Sequence, residues 1–532
     1  MKKFVSLFLT LALLLPILSG CSQDIDNAAY VPTGNAILLE GQEPEDIMLE
    51  EEDHQELNLA YYPKYSLNPL FGSDYTNRVL MSLMYQGLFA VDNQKNVTPI
   101  LCGKYRVSTN NMNLYVYLDE KAAFSDGSRV RPEDVVASYW QAKENDYYKN
   151  RLRHLTNIEV LEDGGILFQT DTPYGSLPLL LDIAILKESE VALNDGIPLG
   201  TGPYVFRSDA AGAVLQRNQN WWCGNAKIPA TDEIINLVEV NSPADVRDAF
   251  QFGGTNSVSV VCTNPMSASF AEYRCDYELW NIESGYFMYI GCNILYSPFF
   301  EDDGGIRKFL TYAIDRATLS EEVYKGMAAP ATLPCDPSAY YYSNFLARDY
   351  EYDALKFIDH LSNFNIPRKD GTPRVLELVV NADDSARVSV ARSIAASLTE
   401  MGLPCTTKEY ATAAYNRAIQ ASNYDIYLGV TRLSPTMDLS EFFRPWGEMS
   451  WGGLQHETIY DMCKHALEDT GNFYNLYQKL ADDGRIVPVL FGHYNVYAQR
   501  GLMPDLAPSR DNVFYYALDK TMDNCLIVEE VE

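Results

Sequence analysis

Leu57, Leu59 and Tyr61 alternate with small or polar neighbours, which predicts a strand that Pro63 ends. Ser66-Leu67-Asn68-Pro69 reads as a turn, and Asp74 is placed to cap a helix whose Val79, Leu80, Leu83, Met84 and Leu88 share one face. Leu114 to Leu118 alternates again as a strand, and Phe124-Ser125-Asp126-Gly127 is a hairpin-type turn. Pro132 opens a helix carrying Val135, Val136, Tyr139 and Trp140. Asp302 or Asp303 precedes a helix with Ile306, Phe309, Leu310, Ala313 and Ile314 on one face. Thr318-Leu319-Ser320-Glu321 matches a capping box that starts the next helix, through Tyr324. A further helix carries Val388, Ala391, Ala395 and Leu398 and stops at Gly402. Val375 to Val380 and Tyr424 to Leu428 read as short buried strands, so strand and helix alternate as in α/β lobes with covered sheets.

Two N-terminal segments break this pattern. Phe4 to Leu18 is an almost continuous apolar run behind Lys2 and Lys3. A spanning helix needs about 20 apolar residues, so the run is sized for the core of a secretory signal. It ends in Leu18-Ser19-Gly20-Cys21, which resembles the bacterial lipobox, with small residues before a cysteine whose thiol takes a diacylglycerol. Residues 1–20 are therefore expected to be a signal peptide and Cys21 the lipidated residue, anchoring the chain on the extracytoplasmic face of the cell membrane. The plainer readings are a secreted protein cleaved elsewhere, or an anchor that stays uncleaved. Residues 21–56 read as a tether: 22–56 hold eleven Asp or Glu and no Lys or Arg. Such a segment buries too little apolar surface to offset its ordering entropy, and a coil of that length reaches on the order of 30 Å.

Composition narrows the function classes. The net charge of -31 disfavours nucleic acid, whose phosphates it would repel. Beyond Cys21, nine cysteines remain, without C-x-x-C or Cys/His metal spacing; they read as buried small hydrophobes, with a Cys262–Cys275 bridge as the alternative. His456-Glu457 lacks the second histidine of a zinc helix, and the chain has no G-x-S-x-G elbow, phosphate loop or dinucleotide loop. No catalytic set, metal site or cofactor is expected.

The order of several segments carries more. Leu67-Asn68-Pro69-Leu70 through Met84-Tyr85-Gln86-Gly87-Leu88-Phe89, then Phe124-Ser125-Asp126-Gly127 with Arg131-Pro132-Glu133-Asp134-Val135-Val136, resemble the family 5 extracellular solute-binding proteins, the oligopeptide and dipeptide receptors of ABC importers. Gly200-Thr201-Gly202-Pro203-Tyr204, Asn220-Trp221-Trp222 and Ile306-Arg307-Lys308-Phe309-Leu310-Thr311-Tyr312-Ala313-Ile314-Asp315-Arg316 follow in the same order. The resemblance implies an α/β, bilobal periplasmic-binding-protein-like fold with crossing strands and a ligand cleft between the lobes. Lobe I would comprise residues 57–290 and 490–532, with a subdomain at about 91–195, and lobe II residues 291–489. Tyr286 to Asn293 and Val487 to Tyr497 would be the crossings. It implies a monomer that captures short peptides, or another small solute, and serves a permease with its ATPase subunits.

In peptide-binding members a second-lobe loop carries an aspartate for the peptide's amino group. Here that place falls on Leu433, Ser434 or Pro435, and Asp438 lies a few residues late. A buried ammonium without a carboxylate costs several kcal/mol. Arg432 offers a planar donor for a carboxylate or phosphate, the plainer reading being a pair with Asp438 or Glu441. The candidate ligand-binding set is Tyr62, Tyr65, Tyr286, Arg432, Asp438 and Trp451. An oligosaccharide or metal-chelate receptor, a signalling or adhesive lipoprotein, and a surface hydrolase are the alternatives.

Overall fold

The computed structural model describes residues 56–71, 74–224, 226–254, 257–263, 273–300 and 305–527. The expected signal segment, Cys21, the expected tether up to residue 55, Asp302 and Asp303 lie outside the described residues, while Glu56, the last tether position, accepts from Asn236 Nδ2 at 3.2 Å.

Two long strands organise the body. Tyr277–Cys292 and Ile486–Gln499 pair antiparallel through the middle of an 11-stranded mixed sheet. On one side of them lie Ile426–Arg432, Leu376–Asn381 and Cys405–Tyr410; on the other lie Val260–Cys262, Asn58–Tyr61, Ile234–Glu239, Gly212–Arg217 and Tyr204–Asp209. The chain changes cores along these strands. Ile282, Tyr494, Val496 and Ala498 pack in a cluster built mostly from residues before 240, whereas Met288, Ile290, Val487 and Leu490 pack with residues between 288 and 490. The change falls where the pairing loses register, between Glu283 and Phe287. A separate four-stranded sheet of Cys102–Val107, Asn113–Leu118, Ile166–Thr170 and Leu155–Val160 shares the first core.

Local signals explain most helices. Asp74 accepts the Asn77 N–H at 3.0 Å and caps Tyr75–Met84. Pro132 sits in the first turn of Pro132–Lys143, where Asp134 reaches back to the Arg131 N–H at 2.8 Å. Ser385–Glu400 is capped by Asp384 and followed by Gly402 at φ 101°. The segment predicted around Ile306 is a 3-10 helix, Gly305–Ala313. Arg316 takes the Thr311 and Ile314 carbonyls with its own guanidinium, which ends that helix. The capping box at Thr318 is not formed. The helix begins earlier, as Arg316–Tyr324, because Asp315 accepts both the N–H and the hydroxyl of Thr318. Both crossings run further toward the first core than expected, since each supplies the other's hydrogen bonds.

Three of the segments that carried the family resemblance, Met84–Phe89, Gly200–Tyr204 and Asn220–Trp222, meet at one place, whereas Ile306–Arg316 packs in the second core. Gly202 donates to the Met84 carbonyl at 2.9 Å, and a Cβ on Gly200 would run into that same carbonyl. Trp221 donates to Thr201 O at 3.0 Å, and Trp222 to Gln86 Oε1 at 2.8 Å. The glycines let the loop close on the helix end, and the indoles fasten it. Cys262 and Cys275 are both free thiols, as are the other seven cysteines of the described body.

Candidate functional site

The bend at Ser284-Gly285-Tyr286 positions the charged groups between the two cores. Gly285 has φ 80°, and a Cβ there would press on Leu433 O and the Arg510 guanidinium. Leu433 N–H donates to Gly285 O at 2.8 Å, and Arg432 Nε donates to Ser284 O at 3.0 Å. Arg432 thereby points at Tyr147, whose ring centre lies 3.6 Å from the guanidinium carbons of both Arg78 and Arg432. Tyr147 accepts from Arg432 Nη2 at 2.6 Å and donates to Asp511 at 2.8 Å. Asp511 also pairs with Arg151 at 2.7 Å and with Arg432 at 3.3 Å. Burial alone would raise the Asp511 carboxyl, but Arg151, Arg432, Arg510 and Arg78 together hold it well below the usual carboxylate range. This is a buried network of paired charges on an aromatic plate, stable because each ion has partners.

Lys95 and Arg510 extend the network. Lys95 Nζ donates to Pro435 O at 2.7 Å and lies 3.6 Å from Glu283, which also pairs with Arg510 at 3.3 Å. The enclosed space bounded by these groups and Asp182 is about 20 Å³, room for one water. Burial pushes the Asp182 carboxyl up to about 7; Arg151 opposes the rise and Asp511 adds to it.

The sequence-derived candidates fall into separate places. Tyr62 is buried, with its N–H on Asn77 Oδ1 at 2.9 Å and its hydroxyl on the Asn241 carbonyl. Its ring packs 4.8 Å from that of Tyr65, which is 43% exposed. Tyr286 and Arg432 stand opposite each other in register, and the Tyr286 hydroxyl is 3.5 Å from that of Tyr75. Arg432 pairs with Asp511 rather than with Asp438 or Glu441, because the strand bend turns it toward the C-terminal segment. Four of its N–H groups are already committed. Asp438 accepts from Ser440 N–H at 2.8 Å and pairs with His154 Nε2 at 3.0 Å, so both oxygens are engaged.

Trp451 belongs to a different feature, an open cavity of about 210 Å³ in the second core. Tyr289, Tyr415 and Tyr427 form its walls, with Thr431, Asn416 and Arg387 supplying polar groups. Gly291 and Gly429 make room for the rings: a Cβ on Gly291 would strike Tyr427 and one on Gly429 would strike Tyr289. Arg387 holds Asp384 at 3.3 Å, while its buried Nε has no hydrogen-bond partner among the described residues. Arg387 was missed from sequence, although it stands in the first turn of a helix, where the dipole disfavours a cation. The arrangement can receive a planar anion against aromatic walls. Tyr147, Asp511 and His154 were also missed, and no local pattern marks them.

Known proteins resemble this chain in sequence or in fold. Residues 96–453 match the sequence model of the bacterial extracellular solute-binding proteins, family 5 (middle). The glutathione-binding protein GsiB of Salmonella typhimurium is 25% identical over 314 residues, 57% of this chain. The match spans 60% of GsiB's own length. The oligopeptide-binding protein AppA of Bacillus subtilis, solved with a nonapeptide, covers 88% of this chain and 100% of its own at TM-score 0.60 and 19% identity. NikA of Brucella suis, solved with Fe(III)-EDTA, covers 86% and 98% at TM-score 0.65 and 18% identity. The two cores joined by crossing strands are thus the two lobes of a periplasmic-binding-protein-like fold. With the family match running over more than half its length, the chain belongs to the bacterial extracellular solute-binding proteins of family 5.

Proposed function

We propose that the chain is the substrate-binding lipoprotein of an ABC importer, which takes short peptides between its lobes and hands them to a membrane permease. Catalysis is no part of this reading; the energy comes from the partner ATPase. The observation that supports the peptide assignment is the Arg387 cavity, which is lined by second-lobe residues and would hold one end of a peptide whose remainder lies between the lobes; its lining sets a guanidinium beside aromatic rings. A peptide brings a carboxylate for the first and a side chain for the second. Glutathione, a nonapeptide and an EDTA chelate, the ligands named for these similar proteins, all bear carboxylates. The amino end is a different matter, since Asp438 is spent on His154 and Ser440.

Mass spectrometry of solutes that co-purify with the chain tests the class. Peptides are expected; recovery of a neutral sugar alone would overturn the assignment, and a metal chelate would move it to the other carboxylate class. Arg387→Gln should weaken peptides with a free C-terminus about tenfold or more while sparing their amides.

A further inference from the structure

The loop Leu433–Asp438 occupies the place where a peptide receptor would hold the ligand's amino group, yet its polar atoms are taken by the other lobe or by the loop and its own lobe. The Leu433 carbonyl accepts from Arg510 and the Pro435 carbonyl from Lys95. The Thr436 hydroxyl bonds that of Tyr174, and Ser434 Oγ bonds Thr436 at 2.9 Å and accepts the Asp438 N–H at 3.2 Å. Asp438 closes the series on His154, whose other ring nitrogen holds Asp171 at 2.7 Å.

Two further contacts extend this line of attachment. Arg153 pairs with Glu441 at 3.3 Å. Gly175 N–H donates to the Leu467 carbonyl at 2.9 Å, a backbone bond between the four-stranded region and the end of the helix Glu457–Glu468. Gly175 sits so close that a Cβ would collide with the Glu468 carbonyl. Leu467 is 3% exposed and packs in the first lobe's core, although its helix belongs to the second. The line therefore combines buried ion pairs, hydroxyl bonds, a backbone bond and an inserted leucine, with no ligand atom required at any point.

We infer that Leu433–Asp438, with His154, Tyr174, Gly175 and Leu467, is an interlobe clasp that holds the lobes shut without ligand. A receptor built this way spends its own groups on closure, so a solute enters by breaking protein–protein bonds and not by completing an open site. The ligand's contribution to closure is then the difference between its contacts and those of the clasp. The inference rests on the bilobal fold and is independent of which solute is carried.

Hydrogen exchange of the Gly175 amide reads the clasp directly. In the full mature chain, freed of solute by partial unfolding and refolding, this amide is expected to be protected at least a hundredfold. Gly175→Ala, which wedges the contact without touching a charge, and His154→Gln should each lower the protection of residues 172–176 tenfold or more. Amides of Ile166–Thr170, inside one lobe, should stay unchanged and so report intact folding. Free exchange at Gly175 in the solute-free wild-type chain would overturn the inference, as would full protection in both variants. If either variant also loses the protection of Ile166–Thr170, Thr436→Val supplies the same comparison with the ion pairs left in place. Because no transported solute enters the measurement, its failure is separable from failure of the peptide assignment.

Discussion

At the scale of the residue, the body depends on buried charges that are each answered by a partner. Asp511 is the clearest instance: Arg151, Arg432 and the Tyr147 hydroxyl all converge on it, and its side chain is 7% exposed. Removing one member of such a set leaves the others buried and uncompensated, which costs about 3–5 kcal/mol. Asp511→Asn should therefore lower the unfolding free energy by that amount. Asp146→Asn, in an exposed pair with Lys149, should change stability by about 0.5 kcal/mol or less. A urea titration of the two variants against wild type checks both, and equal effects would count against the network. These partners were illegible in the sequence because Tyr147 and Arg432 are 285 residues apart, and only the folded strands bring them together. Arg387 was partly legible, since its place in a helix's first turn follows from the hydrophobic period and Asp384. The same holds for Asp438, whose lateness in the loop was visible while its partner His154, 284 residues away, was not.

At the scale of the element, what could be read was what is local. Asp74, Pro132 and Gly402 each act within a turn or two of chain, so their helices were found, although the first ends at Met84 and leaves Leu88, expected on its face, beyond the helix. The Thr318 capping box failed because Asp315 offers a better acceptor three residues earlier, a competition that spacing alone does not decide. The crossing strands were located but cut short, because their ends are fixed by mutual pairing and not by composition. Their bend was not foreseen at all. Gly285 makes it: φ 80° is a left-handed conformation, and the space beside it is filled by Leu433 O and Arg510. Gly285→Ala should cost at least about 2 kcal/mol from backbone strain and crowding together. The loss should also appear as a weaker Leu433 amide in hydrogen exchange, because Leu433 donates to Gly285 O. An alanine variant with wild-type stability and unchanged exchange would remove the bend from the account.

At the scale of the whole molecule, the proposed anchor and a pH dependence can each be tested. Cys21→Ser should leave the body's melting temperature unchanged and move the protein from the membrane fraction to the medium, because a diacylglyceryl group is the attachment proposed. Retention in the membrane after that change would refute the anchor. The pH dependence of the body's stability is set by groups whose shifts point in different directions. Burial lowers His154, but Asp171 and Asp438 outweigh it and raise the ring to about 9, with Arg153 and Tyr174 as its other neighbours. The stability gained from that raised value is complete below the unfolded value of about 6.5, and it is lost as pH climbs through about 9. Asp182 works against the fold: with its carboxyl at about 7, the unfolded chain ionises first. Its cost therefore grows from the ordinary carboxylate range up to about 7 and stays constant above it. Asp438 sets the acid limb: burial raises it, but His154 and Arg153 hold it at about 2. Its contribution is present above the ordinary carboxylate value and disappears as pH falls through about 2, and it is the same His154 pair counted from the other side. The three together place maximum stability on the acid side of neutrality and predict a loss of a few kcal/mol between about pH 6 and pH 9. Urea unfolding at intervals across that range measures the slope. In Asp182→Asn the part of the decline below about pH 7 should vanish, and in His154→Gln the part above it. A wild-type profile flat from pH 6 to 9 would contradict both assignments, and a decline that survives both substitutions would assign it to other groups.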